Sequence, residues 1–195
     1  MNLSALKSPP FRSYVVSLHL ALNGFWAQRV IIGWLAWDMT GSAGFVGLVA
    51  FLNFFPTLFV SPLSGVFADR IDIRKGSIFS YALAGTLSGL FAVICILAGP
   101  TPLLLALFSF VTGVISSANH PMRMSLTPRL APTADLPSVV AITSLNFNMS
   151  RLTGPVIGGL LIQLTGASIA FAITAATYAA PVIAIYFMRP RDRAR

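Results

Sequence analysis

The 195-residue chain has no glutamate, a single cysteine and few charges. Charged residues make up 9% of it, against about 25% in an average soluble domain. Each shortage excludes something. The five acids are Asp38, Asp69, Asp72, Asp135 and Asp192, so no paired deep carboxylates are available for acid–base work. Cys95 alone builds neither a disulfide nor a thiolate metal site, and it lies in an apolar run where it reads as packing. His19 and His120 lack metal-ligand spacing, and no Gly-x-Ser-x-Gly nucleophile turn occurs. An intramembrane enzyme is therefore a poor reading, and neither a metal nor a cofactor is expected. The first apolar run is too long for a cleavable signal peptide and lacks a small-residue cleavage site close behind it.

What the chain has is hydrocarbon. It is 56% hydrophobic, with a mean hydropathy of +0.82. The net charge of +8 would suit nucleic acid only on a solvated basic face with stacking groups. Here the basic residues sit between apolar segments, which is the pattern of a membrane topology signal, and no nucleic-acid partner is expected. A spanning helix needs about 20 mostly apolar residues. Six stretches qualify, near 13–37, 44–68, 76–98, 102–121, 138–163 and 167–188. Together they predict an all-α integral membrane half-domain over 1–188, because lipid leaves backbone groups no partner outside their own helix.

Eleven of the thirteen Lys and Arg residues fall in alternate connectors: Lys7 and Arg12, then Arg70, Arg74 and Lys75, then Arg123 and Arg129, then Arg189, Arg191, Arg193 and Arg195. The first, third and fifth links have none. The positive-inside rule then puts both termini in the cytoplasm.

The second link reads GVFADRIDIRKG at 65–76 and carries Asp69, Arg70, Asp72, Arg74 and Lys75. Gly65-Val66-Phe67-Ala68-Asp69-Arg70, followed by Arg74-Lys75, resembles the signature loop between the second and third helices of the major facilitator superfamily. Phe67 stands where that pattern has Leu, and Asp72 where it has a second Gly. SLNFNMSRLTGPVIGGLLIQLTG at 144–166 resembles the fifth helix of the exporter branch, with Gly154-Pro155 and Gly158-Gly159 as its export motif. HPMRMSLTPRLAPTADL at 120–136 and NGFWAQRVIIGWLAWDMTGSA at 23–43 resemble the same branch, of the enterobactin-exporter and macrolide-efflux type. One family element is missing. The fourth helix often carries an Arg about four residues before a Gly, whereas Ser109 precedes Gly113 here.

The resemblance implies the N-terminal half of a twelve-helix transporter, with its six spans arranged as two inverted three-helix repeats. An internal echo agrees. Leu52-Asn53-Phe54 is followed by Pro62 and Gly65, and Leu145-Asn146-Phe147 by Pro155 and Gly158, at the same offsets. Residues 189–195 resemble the start of a central cytoplasmic linker. The implied activity is secondary-active export of small amphipathic compounds of drug or siderophore type across the inner membrane by alternating access. The implied partners are lipid, a small-molecule substrate, and a C-terminal six-helix half or a second copy. A six-span assembly or regulatory module, or a truncated fragment that does not transport, remains the alternative.

Several residues carry these expectations. Gly65, Asp69, Arg70 and Arg74 resemble a conformational latch closing the cytoplasmic side, with a solvated loop that only sets topology as the competing reading. Arg151 lies about 20 Å into the fifth span at 1.5 Å per residue, past the middle of a core about 30 Å thick. A central Arg costs about 2.5–3.5 kcal/mol on insertion scales, so it must face protein or a wet cavity. Asn148 and Ser144 share its face. Gly154, Pro155, Gly158 and Gly159 allow close helix approach and a bend, which is either plain packing or, as in the family, a seal toward the other half. Asn23, Trp26, Gln28 and Arg29 on the first span are candidates for a substrate cavity, with Arg29 reaching the outer headgroups as the competing reading. His19 is either a proton shuttle or hydrogen-bonded structure. Trp34 and Trp37 read as interfacial anchors. Phe51, Phe54, Phe55 and Phe59 read as lipid contact or packing.

Overall fold

The computed structural model describes residues 3–68 and 72–188, with backbone alone at 63–68. Eight α-helices follow one another: α1 Pro9–Thr40, α2 Ala43–Phe54, α3 Thr57–Ala68, α4 Ile73–Leu97, α5 Pro102–Leu126, α6 Leu136–Thr165, α7 Ala167–Thr177 and α8 Ala179–Phe187. Short 3-10 turns at Ser4–Lys7, Thr127–Leu130 and Thr133–Asp135 complete the chain. No strand occurs among the described residues. Asp69, Arg70 and 189–195 lie outside them, so these two latch residues and the linker expectation do too.

The expected second and sixth spans are each broken in two, and proline explains both breaks. Pro56 has no N–H to continue α2, and the chain turns at Phe55–Pro56 before α3. Pro181 places its ring against the carbonyl four residues back, at Thr177, where α7 ends. Pro121 lies inside α5 and frees the carbonyl of Ser117. The Ser61 hydroxyl of α3 donates to that carbonyl at 3.3 Å. A group stranded in hydrocarbon is thereby repaired by a neighbouring helix. Hydroxyls inside the helices bond back to their own turns, as Ser109 does to Leu105 O at 2.7 Å and Thr174 to Ala170 O at 3.0 Å.

Helix ends are marked in the sequence. Ser42 accepts from Phe45 N at the start of α2 and Thr101 from Leu104 N at the start of α5. Gly41 closes α1 at φ 59, a left-handed conformation that suits glycine.

Five stretches are long and apolar enough to cross a membrane: Pro9–Thr40, Ala43–Pro62, Ile73–Leu97, Pro102–Leu130 and Ala167–Phe187. The remaining expected span, the fifth, corresponds to α6, which has the length but not the apolarity. Asn146, Asn148, Ser150, Arg151 and Thr153 dilute it. Asn146, Ser150 and Thr153 of these face α1, and α1 with α6 is the most extensive helix pair in the bundle. The α2–α3 segment and α4 both pack on α5, while α7 and α8 pack on α1 and α4.

Two apolar clusters hold the ends. One gathers Phe11, Tyr14, Leu18, Leu126, Val139 and Ile185 near the N-terminal end. The other gathers Ile31, Leu35, Val49, Phe91, Leu105 and Phe171 at the opposite end. In the second, Phe91 stacks on Phe108 at 4.2 Å between centroids, and Phe171 meets their edges at 4.9 and 5.5 Å. Trp34 and Trp37 are exposed on α1, as interfacial anchors would be.

Phe171 is fully buried, whereas Phe187 is 79% exposed. Phe171→Ala is expected to lower stability by about 3–5 kcal/mol through lost packing and the cavity it leaves. Phe187→Ala is expected to change it little. Thermal unfolding of the two variants in nanodiscs checks the contrast.

Candidate functional site

A cavity of about 390 Å³ lies between α1, the α2–α3 segment, α4 and α5. Phe147 of α6 and Tyr178 also reach it. Polar side chains that hydrocarbon would otherwise reject converge on it from four helices. From α5 come Thr112, Ser116, Ser117, Asn119, His120 and Arg123. Their spacing of three and four residues makes one stripe on that helix. Asn53 and Thr57 face them, and Asn53 Nδ2 donates to Ser109 O and to Thr112 Oγ1, both at 3.1 Å. Asn119 Nδ2 donates to Ser80 Oγ at 2.7 Å.

Of the four expected cavity residues on α1, three line it: Trp26, Gln28 and Arg29. Arg29 lies among aromatic rings. Its guanidinium lies over the rings of Phe54 at 4.1 Å, Phe25 at 4.6 Å and Trp26 at 5.2 Å. Gln28 Oε1 accepts from Tyr178 OH at 3.2 Å and Ser88 Oγ at 3.4 Å. Among the described residues, three buried donors here have no hydrogen-bond partner: Gln28 Nε2, Arg29 Nε and Trp26 Nε1. Phe54, expected to contact lipid or pack, is instead one wall of the Arg29 cage, because the α2 turn that carries it faces α1.

Asn23 departs from expectation. It does not line the cavity but joins α1 to α6. Its Nδ2 donates to His19 O at 2.9 Å and Ser150 Oγ at 3.4 Å, and its Oδ1 accepts from Thr153 Oγ1 at 2.6 Å. One turn away, His19 Nδ1 lies 2.6 Å from Asn146 Oδ1 and 3.0 Å from Ser150 Oγ. Asn146 Nδ2 donates to Val15 O at 3.2 Å. His19 is thus held in a structural network of α1 and α6, and the reading of it as hydrogen-bonded structure fits.

The glycines of α6 divide by face. A Cβ on Gly154 would stand 2.5 Å from Trp26 Cβ and 3.0 Å from Asn23 O. A Cβ on Gly158 would stand 2.8 Å from Ala27 O. Both are fitted against α1 within this bundle, not turned toward another half. Gly159 has nothing within 4 Å and is exposed, as are Arg151 and Asn148. Asn148 Nδ2 returns to Ser144 O at 2.9 Å, and the Arg151 guanidinium lies 5.7 Å from the Trp26 ring. Pro155 lies within the unbroken α6.

Arg74, expected in the latch, has a local partner. Its Nε donates to Ile185 O at 3.1 Å and its Nη2 to Tyr186 O, so it caps the last turn of α8. Asp72 caps the start of α4 by accepting from Arg74 N at 2.9 Å and Lys75 N at 3.3 Å. Gly65 belongs to α3.

Sequence reasoning assigned Arg123 to topology alone. It also lines the cavity, with its Nη2 donating to His120 Nδ1 at 3.1 Å and its guanidinium 5.7 Å from the Phe147 ring. The polar stripe on α5 was the signal that would have found it.

Apolar helices long enough to cross a membrane thus enclose a pocket of aromatic, hydroxyl, amide and guanidinium groups. The chain belongs to the major facilitator superfamily: its family of transmembrane secretion effectors matches residues 1–195. The staphyloferrin A transporter of Staphylococcus aureus is 25% identical over 83% of this chain and 41% of its own length. The multidrug efflux pump Tap of Mycobacterium tuberculosis is 28% identical over 92% and 44%. The enterobactin exporter EntS of Shigella dysenteriae is 28% identical over 90% and 42%. The chain thus spans less than half the length of these curated relatives.

Gly158→Ala is expected to weaken the α1–α6 seam and lower the unfolding temperature in nanodiscs by several degrees, as a change of about 1–3 kcal/mol from overpacking would. Gly159→Ala is expected to leave it unchanged.

Proposed function

We propose that the chain is the N-terminal half of a secondary-active exporter of small amphipathic compounds, of drug or siderophore type. It resides in the inner membrane with both termini cytoplasmic and works by alternating access with a C-terminal six-helix half or a second copy. The observation that carries this reading is the cavity. It sits among membrane helices, is walled by aromatic rings, and holds a few convergent polar groups, the arrangement that binds amphipathic solutes.

The proposed inverted repeats gain support from two asparagines. Asn53 of the second span fastens to the α5 backbone, and Asn146 of the fifth span fastens to the α1 backbone. An inverted pair of three-helix units makes those two pairings equivalent, span two on span four and span five on span one. In this scheme Asp69 and Arg70 act as the cytoplasmic latch, with Arg74 anchoring the neighbouring helix end. Arg151, Asn148 and Gly159, exposed on α6, belong to the face that meets the other half.

The alternative, a six-span module without transport, differs in one measurement. Everted membrane vesicles containing the protein are expected to accumulate members of a panel of dansyl amphiphiles of different charge above vesicles lacking it. Asp69→Asn is expected to slow accumulation about tenfold, a loss of transition-state stabilisation, at equal membrane content. Correct insertion without accumulation of any member would favour the module.

A further inference from the structure

We infer that the cavity is built for an amphipathic anion, a carboxylate, sulfonate or phosphate head on an aromatic or acyl body, with Arg29 as the residue that receives the charge. The inference deepens the transport reading above and rests on it for the word substrate, but it is a statement about binding and is tested as one.

The first observation is the sign of the charge. Arg29 and Arg123 both line the cavity, and no acid among the described residues does. The sequence explains why. Asp38 is near the end of α1, and Asp69, Asp72, Asp135 and Asp192 fall in connectors or the tail, so no span offers a carboxylate at depth. Arg29 is level with Phe54, next to the contact of Asn53 with Gly113. Arg123 is ten residues further along α5, about 15 Å at 1.5 Å per residue. One cation therefore sits deep and the other at the basic end, with hydroxyls, amides and rings between them.

The second observation is hydrogen-bond polarity. Gln28 is 5% exposed, and its Oε1 is fully used while its Nε2 has no partner. Arg29 Nε and Trp26 Nε1 are likewise unpartnered. Among the described residues, Asn53 Oδ1 is an unpartnered acceptor beside them. The three donors belong to cavity-lining residues within one turn of α1, an anionic oxygen is the kind of group that satisfies donors, and buried donors left open are costly.

The third observation excludes the opposite charge. Stacked aromatics commonly receive ligand cations. Here the Phe25, Trp26 and Phe54 faces are already covered by Arg29 itself, so a second cation would meet a like charge rather than a free ring.

The test uses the full chain in phosphatidylcholine nanodiscs with Trp34→Phe and Trp37→Phe, which leaves Trp26 as the sole tryptophan. Energy transfer from Trp26 reports binding of three matched probes: dansylglycine, an anion; dansylamide, neutral; and dansylcadaverine, a cation. Empty discs supply the background. Dansylglycine is expected to bind about tenfold more tightly than dansylamide, and dansylcadaverine more weakly than either. Arg29→Gln is expected to abolish the preference for the anion while leaving dansylamide binding, and Arg29→Lys to keep most of it. Adding phosphatidylglycerol to the discs separates the two sources of such an anion: competition assigns the site to a lipid headgroup, and no competition to a solute from water. Equal binding of acid and amide, tighter binding of the cation, an unchanged preference in Arg29→Gln, or no transfer above empty discs would each overturn the inference. Anion preference without vesicle accumulation would refute the transport reading and leave this one standing.

Discussion

Hydrocarbon cannot accept or donate a hydrogen bond, and that constraint orders this protein. Every polar group carried into the membrane region must be answered by the same helix, by a neighbouring helix, or by water in an enclosed space. Most hydroxyls are answered by their own helix turn. Asn23, His19, Asn146, Ser150 and Thr153 are answered across the α1–α6 seam. Ser61 answers the carbonyl that Pro121 strands. Among the described residues, some groups stay unanswered outside the cavity, such as Ser77 Oγ and Arg129 Nε, while at the cavity Gln28, Arg29 and Trp26 keep open donors.

That distribution links packing to binding. Gly154 and Gly158 let α6 approach α1 closely enough for the asparagine and histidine network to form. The seam fixes one side of α1, and the opposite side of the same helix then presents Gln28 and Arg29 to the cavity. The Phe91–Phe108–Phe171 cluster joins α4, α5 and α7 at the end opposite Arg123. Rigid packing and an open, polar interior are thus built from different faces of the same few helices.

The sequence made the all-helical fold class and the long apolar helices legible, because apolar runs of that length follow from the solvent itself. It also pointed to Arg29, since an isolated cation deep in a span needs a protein partner. It did not show that Asn23, two turns from Arg29 along the same helix, belongs to a different interface. Polarity marks a residue as facing protein without saying which neighbour it faces. Phe54 hid for the converse reason: an aromatic in an apolar run looks like lipid contact until a cation lies over it. Arg123 was masked by its second duty as a topology signal. The breaks at Pro56 and Pro181 were visible as prolines, but Pro155 shows that a proline in a membrane helix need not interrupt it.

The central claim is that one interior space is wet while the seam beside it is dry. In a Cys95→Ser background, single cysteines at Thr112 and Ser116 line the cavity, one at Ser150 lies in the seam, and one at Leu107 faces outward from α5. Reaction rates with a water-soluble thiol reagent measure the difference directly. Fast labelling of Thr112→Cys and Ser116→Cys, with Ser150→Cys and Leu107→Cys inert, is the predicted result. Labelling of Ser150→Cys as fast as Thr112→Cys, or no labelling at either cavity position, would contradict it.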